Sequence, residues 1–539
     1  MKKNLLLITV LLMHYCTFAQ SEAKVKVTWG GEYFLPKKHS DLGFIGNEKD
    51  GYVQIGHLYG KSLSLQRFDN KFNIKSEKIV NLKELPKGYM NEGFQEINNR
   101  YYWFFSTWDK KAEMEHLFVQ EIDVNKGDFV KGAREILSAK RLSGTVIATG
   151  FYQFNTSNKW NITKSTDGKS KLLIQYRLKP TEKRDKINKD VIGLFVFDSN
   201  MNKEWGSEHQ MPYTEEQMDN NDYYVDKLGN VLLVAKVKEL EKSKDKKHPN
   251  FHFEILKWSK EDTKTQIIPF KFDDKFGTEV VIAEDNTGAP LVVGYYSKVR
   301  ASGSADGFFV LKVNVAENKV DKVFKGMYEF PAEVLKQFES ARAQRKIEKK
   351  DAKDESEIGG LRFRNLTIFE DGSLQLTGEQ YIVTVTVYMT KYGPQIKYNH
   401  FYEDVYVAKV GADGELKFVT KVPKAQRAMS TAFSYWVGGM SIKSYFFKGK
   451  EYLLFLDNFK NLNISASTAP AYHADGLGGV LMLVGIDENG KTAKSKLFDF
   501  REEKRQLTVT NFSSVGTNQV MARTIGKKRV SKPFILTFE

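Results

Sequence analysis

The chain has 539 residues, 41% of them hydrophobic and 13% aromatic, and its 82 basic and 67 acidic residues give a formal charge of +15. Its single cysteine, Cys16, excludes a disulfide framework and a cysteine-ligated metal centre. The basic residues are scattered among acidic ones, which makes a solvated surface that could meet an anionic partner, and no nucleic-acid-binding motif is present. At the N-terminus, Lys2 and Lys3 precede an apolar run over 5–13 that is too short to span a bilayer, and Thr17-Phe18-Ala19 follows as a small-residue junction. This pattern predicts a signal peptide over 1–19 and a mature chain over 20–539 exported to the periplasm. Lipidation at Cys16 is disfavoured by the bulky Tyr15 before it. No later stretch is apolar enough for a transmembrane segment.

From there onward one segment type recurs, a short run of alternating apolar residues that ends at an Asp, Asn or Gly turn. Copies lie at 63–68, 117–122, 192–197, 251–258, 308–313, 405–410, 480–486 and 534–538. Each is preceded by a second turn of the same chemistry, such as Asn98-Asn99-Arg100, Asp226-Lys227-Leu228-Gly229 or Asp285-Asn286-Thr287-Gly288. Tight hairpins need positive φ, which Gly adopts freely and Asn and Asp tolerate. Two hairpins per unit make a four-stranded antiparallel sheet, and its repetition predicts an all-β fold, a single eight-bladed β-propeller. The eighth unit supplies only three strands. The orphan strand at 25–29, Val-Lys-Val-Thr-Trp, is expected to complete it from outside and close the ring. A seven-bladed ring with a separate terminal hairpin is the alternative.

The β pattern is interrupted at 331–358, where Pro331 suits a first helical turn, Val334, Leu335 and Phe338 share a face, and a charge run follows. This predicts a helical insertion between the fifth and sixth units. No nucleophile elbow, phosphate loop or zinc motif occurs, so no catalytic, cofactor or metal residues are assigned. Three polar clusters offer ligand-type side chains: His400 with Glu403 and Asp404, the loop Tyr472-His473-Ala474-Asp475-Gly476, and Asp219-Asn220-Asn221-Asp222. None has a metal-site spacing.

The longest departure from the repeat is the extended hairpin at 380–410. Its arms, Ile382-Val383-Thr384-Val385-Thr386-Val387-Tyr388 and the return through Tyr398, Phe401 and Tyr402, exceed the length of a blade strand and are expected to project. Tyr388, Tyr392, Tyr398, Phe401 and Tyr402 are the candidate partner-binding residues, since aromatic rings bring large contact area at low entropic cost.

The strip Gly378-Glu379-Gln380-Tyr381, with 398–410 and Lys421-Val422-Pro423-Lys424-Ala425-Gln426, resembles a family of exported Bacteroidota propeller proteins. His400, Phe401 and Glu403 depart from that family's pattern. The projecting aromatic hairpin and the lack of any catalytic motif predict a non-enzymatic propeller that binds an outer-membrane or periplasmic protein. The sharpest form of the resemblance is a likeness to the periplasmic plug subunit of the type 9 secretion translocon. Because the chain ends within a strand, with no sorting domain after it, residence in the periplasm is expected. The competing expectation is a glycan-binding or glycan-cleaving propeller of the cell envelope.

Overall fold

The computed structural model describes residues 25–539 apart from 36–38, 59–61, 82–87, 131, 148–155, 181–184, 240–248, 263, 273, 300–302, 392, 432–438, 475–477 and 508–511. The signal-peptide residues and Tyr392 therefore lie outside the described residues. The chain is all-β, 63% strand and 6% helix.

The described strands form eight sheets of four or more strands each, and a two-stranded one. Each of the eight recurring apolar segments is the third strand of one of these sheets, and each Asp/Asn/Gly turn joins a sheet's first and second strands. The turns work as their chemistry requires. Asp285 Oδ1 accepts from the backbone N–H groups of Thr287 and Ala289 at 2.8 and 3.0 Å, and Gly288 takes φ +88°. Asn98 and Asn99 hold φ of +51° and +59° where no glycine is present.

The second and third strands are buried on both faces and read as near-continuous apolar runs, as in Pro290–Ser297 and Gly307–Asn314. Successive side chains point to opposite faces, so neighbours in sequence serve different cores. Phe308 packs with Val293, Leu376 and Tyr406 between the fifth and sixth sheets, whereas Phe309 packs with Leu232, Ile255 and Val292 between the fourth and fifth. The same division gives one apolar cluster between every pair of consecutive sheets. Leu454, Leu483, Val520 and Leu536 join the seventh sheet to the eighth, and Tyr52, Phe68, Met521 and Ile535 join the eighth to the first. Val25–Trp29 lies antiparallel on Val530–Phe538, with Val25 opposite Phe538 and Trp29 opposite Phe534, as the fourth strand of the eighth sheet.

The insertion between the fifth and sixth sheets is two helices, Ala332–Lys336 and Ala341–Asp351. Pro331 sits at the N-cap rather than within the first turn. Phe338, at φ +58°, breaks the expected single helix, and the Ser340 hydroxyl caps the second by accepting from Ala343 N–H. Leu335 enters the core between the fifth and sixth sheets, while the charged second helix buries no residue.

Candidate functional site

The sixth sheet carries strands Leu374–Thr390 and Gly393–Val410, paired without a break from Tyr381 opposite Tyr402 to Thr390 opposite Gly393. Its first strand, Leu361–Ile368, stops at Gln380 and its fourth, Leu416–Val422, stops at Val405. A register shift between Glu379 and Tyr381 marks the departure. The arms continue for about 30 Å at roughly 3.3 Å per residue. Among the described residues only the short strand Gln426–Ser430 flanks them, along Tyr398 to Tyr402.

Alternation sorts the arms into two faces. Val383, Val385, Val387 and Met389 share one with His400, Tyr398, Ile396 and Pro394, their cross-strand partners. Thr384, Thr386, Asn399, Lys397 and Gln395 share the other with Ile382, Tyr388 and Phe401. Near the base the first face is covered by a small cluster of Tyr381, Tyr402, Ala428 and Met440. Toward the tip it is bare: Val385 is 57% exposed, Val387 63% and Met389 77%, with Ile396 beside them. Lys391 and Lys397 are the only formal charges from Gln380 to Tyr402.

The predicted aromatic residues do not form one patch. Tyr388 is exposed, but on the threonine face. Tyr398 is half-buried and its ring lies 6.4 Å from that of His400. Phe401 is half-buried, edge-on to Tyr472 and 5.5 Å from the Arg427 guanidinium. Tyr402 is a correction: it is fully buried, 4.8 Å from the Tyr381 ring, and can meet no partner. The exposed apolar residues are aliphatic. Their signal was the Val-Thr alternation, which identifies the bare face once the register is known.

The polar residues of the family-like strip converge beneath the hairpin. Glu379 and Lys424 are both fully buried and pair at 2.8 Å, while Arg364 Nε donates to Glu379 at 2.8 Å and the Ser441 hydroxyl at 2.5 Å. Burial pushes the Glu379 carboxyl up, but Lys424 and Arg364 outweigh it and hold it below its ordinary range. Gln426 accepts from Ser441 N–H at 2.7 Å and donates to Leu456 C=O at 2.7 Å. Lys421 bridges Asp404 at 3.1 Å and Glu339 of the helical insertion at 2.9 Å. The strip's charges are thus spent on holding the hairpin's root.

The three clusters of ligand-type side chains do not converge. His400 Nδ1 bonds the Tyr381 hydroxyl and its Nε2 the Ser430 hydroxyl, Asp404 faces Lys421, and Glu403 accepts from the Tyr472 hydroxyl. Asp219 pairs with Lys238, and Asp222 accepts from Ile282 N–H at 2.8 Å. Asp475 and Gly476 lie outside the described residues. Among the described residues no group of three or more His, Cys, Asp or Glu is placed to hold a metal ion, and no helix is long and apolar enough to cross a membrane.

Outside the hairpin, burial pushes the carboxyls of Asp222 and Asp457 up to about 6 and that of Glu92 higher still. Burial pushes Glu92 from 4.5 up to about 7, against the pull of the Ser106 and Ser157 hydroxyls, which donate to it at 2.5 and 2.7 Å. A carboxyl raised in the fold contributes stability below its unfolded value and loses it as pH rises through the folded one, here between about 4.5 and 7. Glu92→Gln is therefore expected to match the wild type near pH 5 and to exceed it at pH 8. The gain is on the order of 1–3 kcal/mol after allowing for partial exposure. Denaturant unfolding at the two pH values measures it, and equal pH slopes in the two proteins would refute it.

No family model matches the chain, and no curated protein matches it. Among solved structures it is similar to the β-propeller domain of the Trilobed protease from Pyrococcus furiosus, at 11% identity and TM-score 0.33, covering 89% of this chain and 98% of that one. It is also similar to acylaminoacyl peptidase of Pyrococcus horikoshii, at 9% identity and TM-score 0.34, covering 93% of this chain but only 58% of the peptidase. A protein of unknown function from Bacteroides caccae is matched at 10% identity and TM-score 0.26 over 68% of this chain and 92% of that one. Likenesses this remote transfer neither residues nor activity.

Proposed function

We propose that the chain is a closed eight-bladed β-propeller that acts without catalysis as an interaction subunit in the periplasm, gripping its partner with the bare face of the 380–410 hairpin. The cyclic succession of apolar clusters supports ring closure, and the fourth strand supplied by Val25–Trp29 favours eight blades over seven. The observation that carries the functional reading is the exposed Val385, Val387, Met389 and Ile396 face, beyond the reach of the sheet's other strands among the described residues. Among the described residues no strand flanks the edge of Ile382 to Thr390, which carries neither charge nor proline, the usual devices against strand addition. The partner is an envelope protein that offers an apolar strand with a carboxylate beside it, to complement Lys397. Resemblance of the strip to exported Bacteroidota propellers supports the finer proposal, a plug or accessory subunit of the type 9 secretion translocon at the outer membrane.

Val385→Ser with Val387→Ser tests the reading. Truncating solvent-facing side chains opens no cavity, so the unfolding free energy should change by less than about 1 kcal/mol. Recovery of envelope proteins with a tagged copy from its own membranes should fall about tenfold. Recovery of no envelope protein above background, or undiminished recovery with the double variant, sinks the proposal.

A further inference from the structure

Between the second and third sheets lies a cavity of about 580 Å³, lined among others by Trp108, Glu115, Arg141, Lys159 and Lys179. It opens where Arg100–Asp109 ends and Met114–Asp123 begins. That is the end of the sheet from which the corresponding strands of the sixth sheet project their hairpin. Its size suits a small ligand.

The chemistry of the lining is specific. Glu115 is only 1% exposed. One of its oxygens pairs with Lys159 Nζ, while Oε2 is buried with no hydrogen-bond partner among the described residues. A buried carboxylate oxygen left unsatisfied is destabilising, and a ligand donor would relieve it. Lys159 also stands 6.0 Å from the centre of the Trp108 ring. A second ammonium entering beside Lys159 would be repelled, so the donor that fits Glu115 is a neutral hydroxyl. Outside this pair, the bridge between Leu142 and Leu178 sets Arg141 opposite Lys179, with Lys179 N–H donating to Arg141 C=O at 2.9 Å. Both side chains are exposed on the cavity's rim, and among the described residues neither has an ionic partner. Two cations without an ionic partner among the described residues call for an anionic group.

We infer that this cavity binds an acidic saccharide, its hydroxyls donating to Glu115, its ring against Trp108 and its carboxylate held by Arg141 and Lys179. The inference is independent of the hairpin reading, since no residue is shared. Glu92 lies next to the same Glu115–Lys159 pair, and the Ser157 hydroxyl that donates to it also accepts from Lys159 N–H at 3.2 Å.

Calorimetric titration with galacturonic acid and its dimer, against galactose and acetate, tests the site. Saturable binding of the acidic sugars, at least about tenfold tighter than either control, is expected. The double variant Arg141→Ala with Lys179→Ala, both at exposed positions, should keep the wild-type unfolding midpoint and lose the preference of galacturonate over galactose. Glu115→Gln should weaken the acidic and the neutral sugar alike. Absence of acidic-sugar binding, equal affinity for galacturonate and acetate, or an unchanged preference in the double variant overturns the inference.

Discussion

Deletion of Val25–Trp29 is expected to lower the unfolding midpoint and to make the protein associate. The strand pairs along its whole length with the last strand, and Val25, Val27 and Trp29 pack on the cluster between the seventh and eighth sheets. The Trp29 ring lies 5.0 Å from Phe498 and 5.1 Å from Phe534, with the Lys532 ammonium 4.8 Å above it. Three half-buried apolar side chains are worth roughly 3 kcal/mol together. The backbone bonds that Lys26 and Thr28 make with Thr537 and Ile535 go as well. What remains is an open edge strand rich in aromatic and β-branched residues, the geometry that templates association. Trp29→Ala, which keeps the strand and removes the ring, should fall between wild type and deletion. Thermal unfolding with size-exclusion chromatography reads both effects. An unchanged midpoint with a monomeric profile for the deletion would mean the latch carries no load.

What the sequence made legible follows from how local each signal is. Hairpin turns are written in four or five adjacent residues, so Asp285 to Gly288 and Asn98-Asn99 could be read directly. Third strands are buried on both faces and stand out as apolar runs. The split of the 331–358 insertion was hidden because Phe338, a hydrophobic residue on the expected helix face, takes a left-handed conformation there. At the hairpin the strand type was legible and the working face was not. Tyrosine content pointed to Tyr402, but the face is decided by cross-strand register, which places Tyr402 against Tyr381 in the core and leaves Val385 and Val387 bare. The cavity at Glu115 was beyond sequence reading, since Trp108, Arg141, Lys159 and Lys179 reach it from separate strands and connections. The same holds for Glu379, whose partners Arg364, Lys424 and Ser441 come from three different segments.

That last cluster carries the other large expected effect. In Lys424→Met, Glu379 stays fully buried, loses its strongest counter-charge and keeps only Arg364 and the Ser441 hydroxyl. Removing one partner of a buried ion pair costs about 3–5 kcal/mol, because the charge left behind is uncompensated. The wild-type carboxyl is held below its ordinary 4.5, so it contributes stability above that value and loses it only as pH falls through the lower folded one. Without Lys424, burial dominates and the carboxyl rises, so the variant loses stability as pH increases instead. The gap between the two proteins should therefore widen from pH 4 to pH 7, as read by denaturant midpoints. Adding Glu379→Gln to Lys424→Met removes the stranded charge and should recover part of the loss, a coupling on the order of 2 kcal/mol. A coupling near zero, or a gap independent of pH, would mean that Lys424 acts through packing on the neighbouring Tyr402 ring and not through the carboxylate beneath the hairpin.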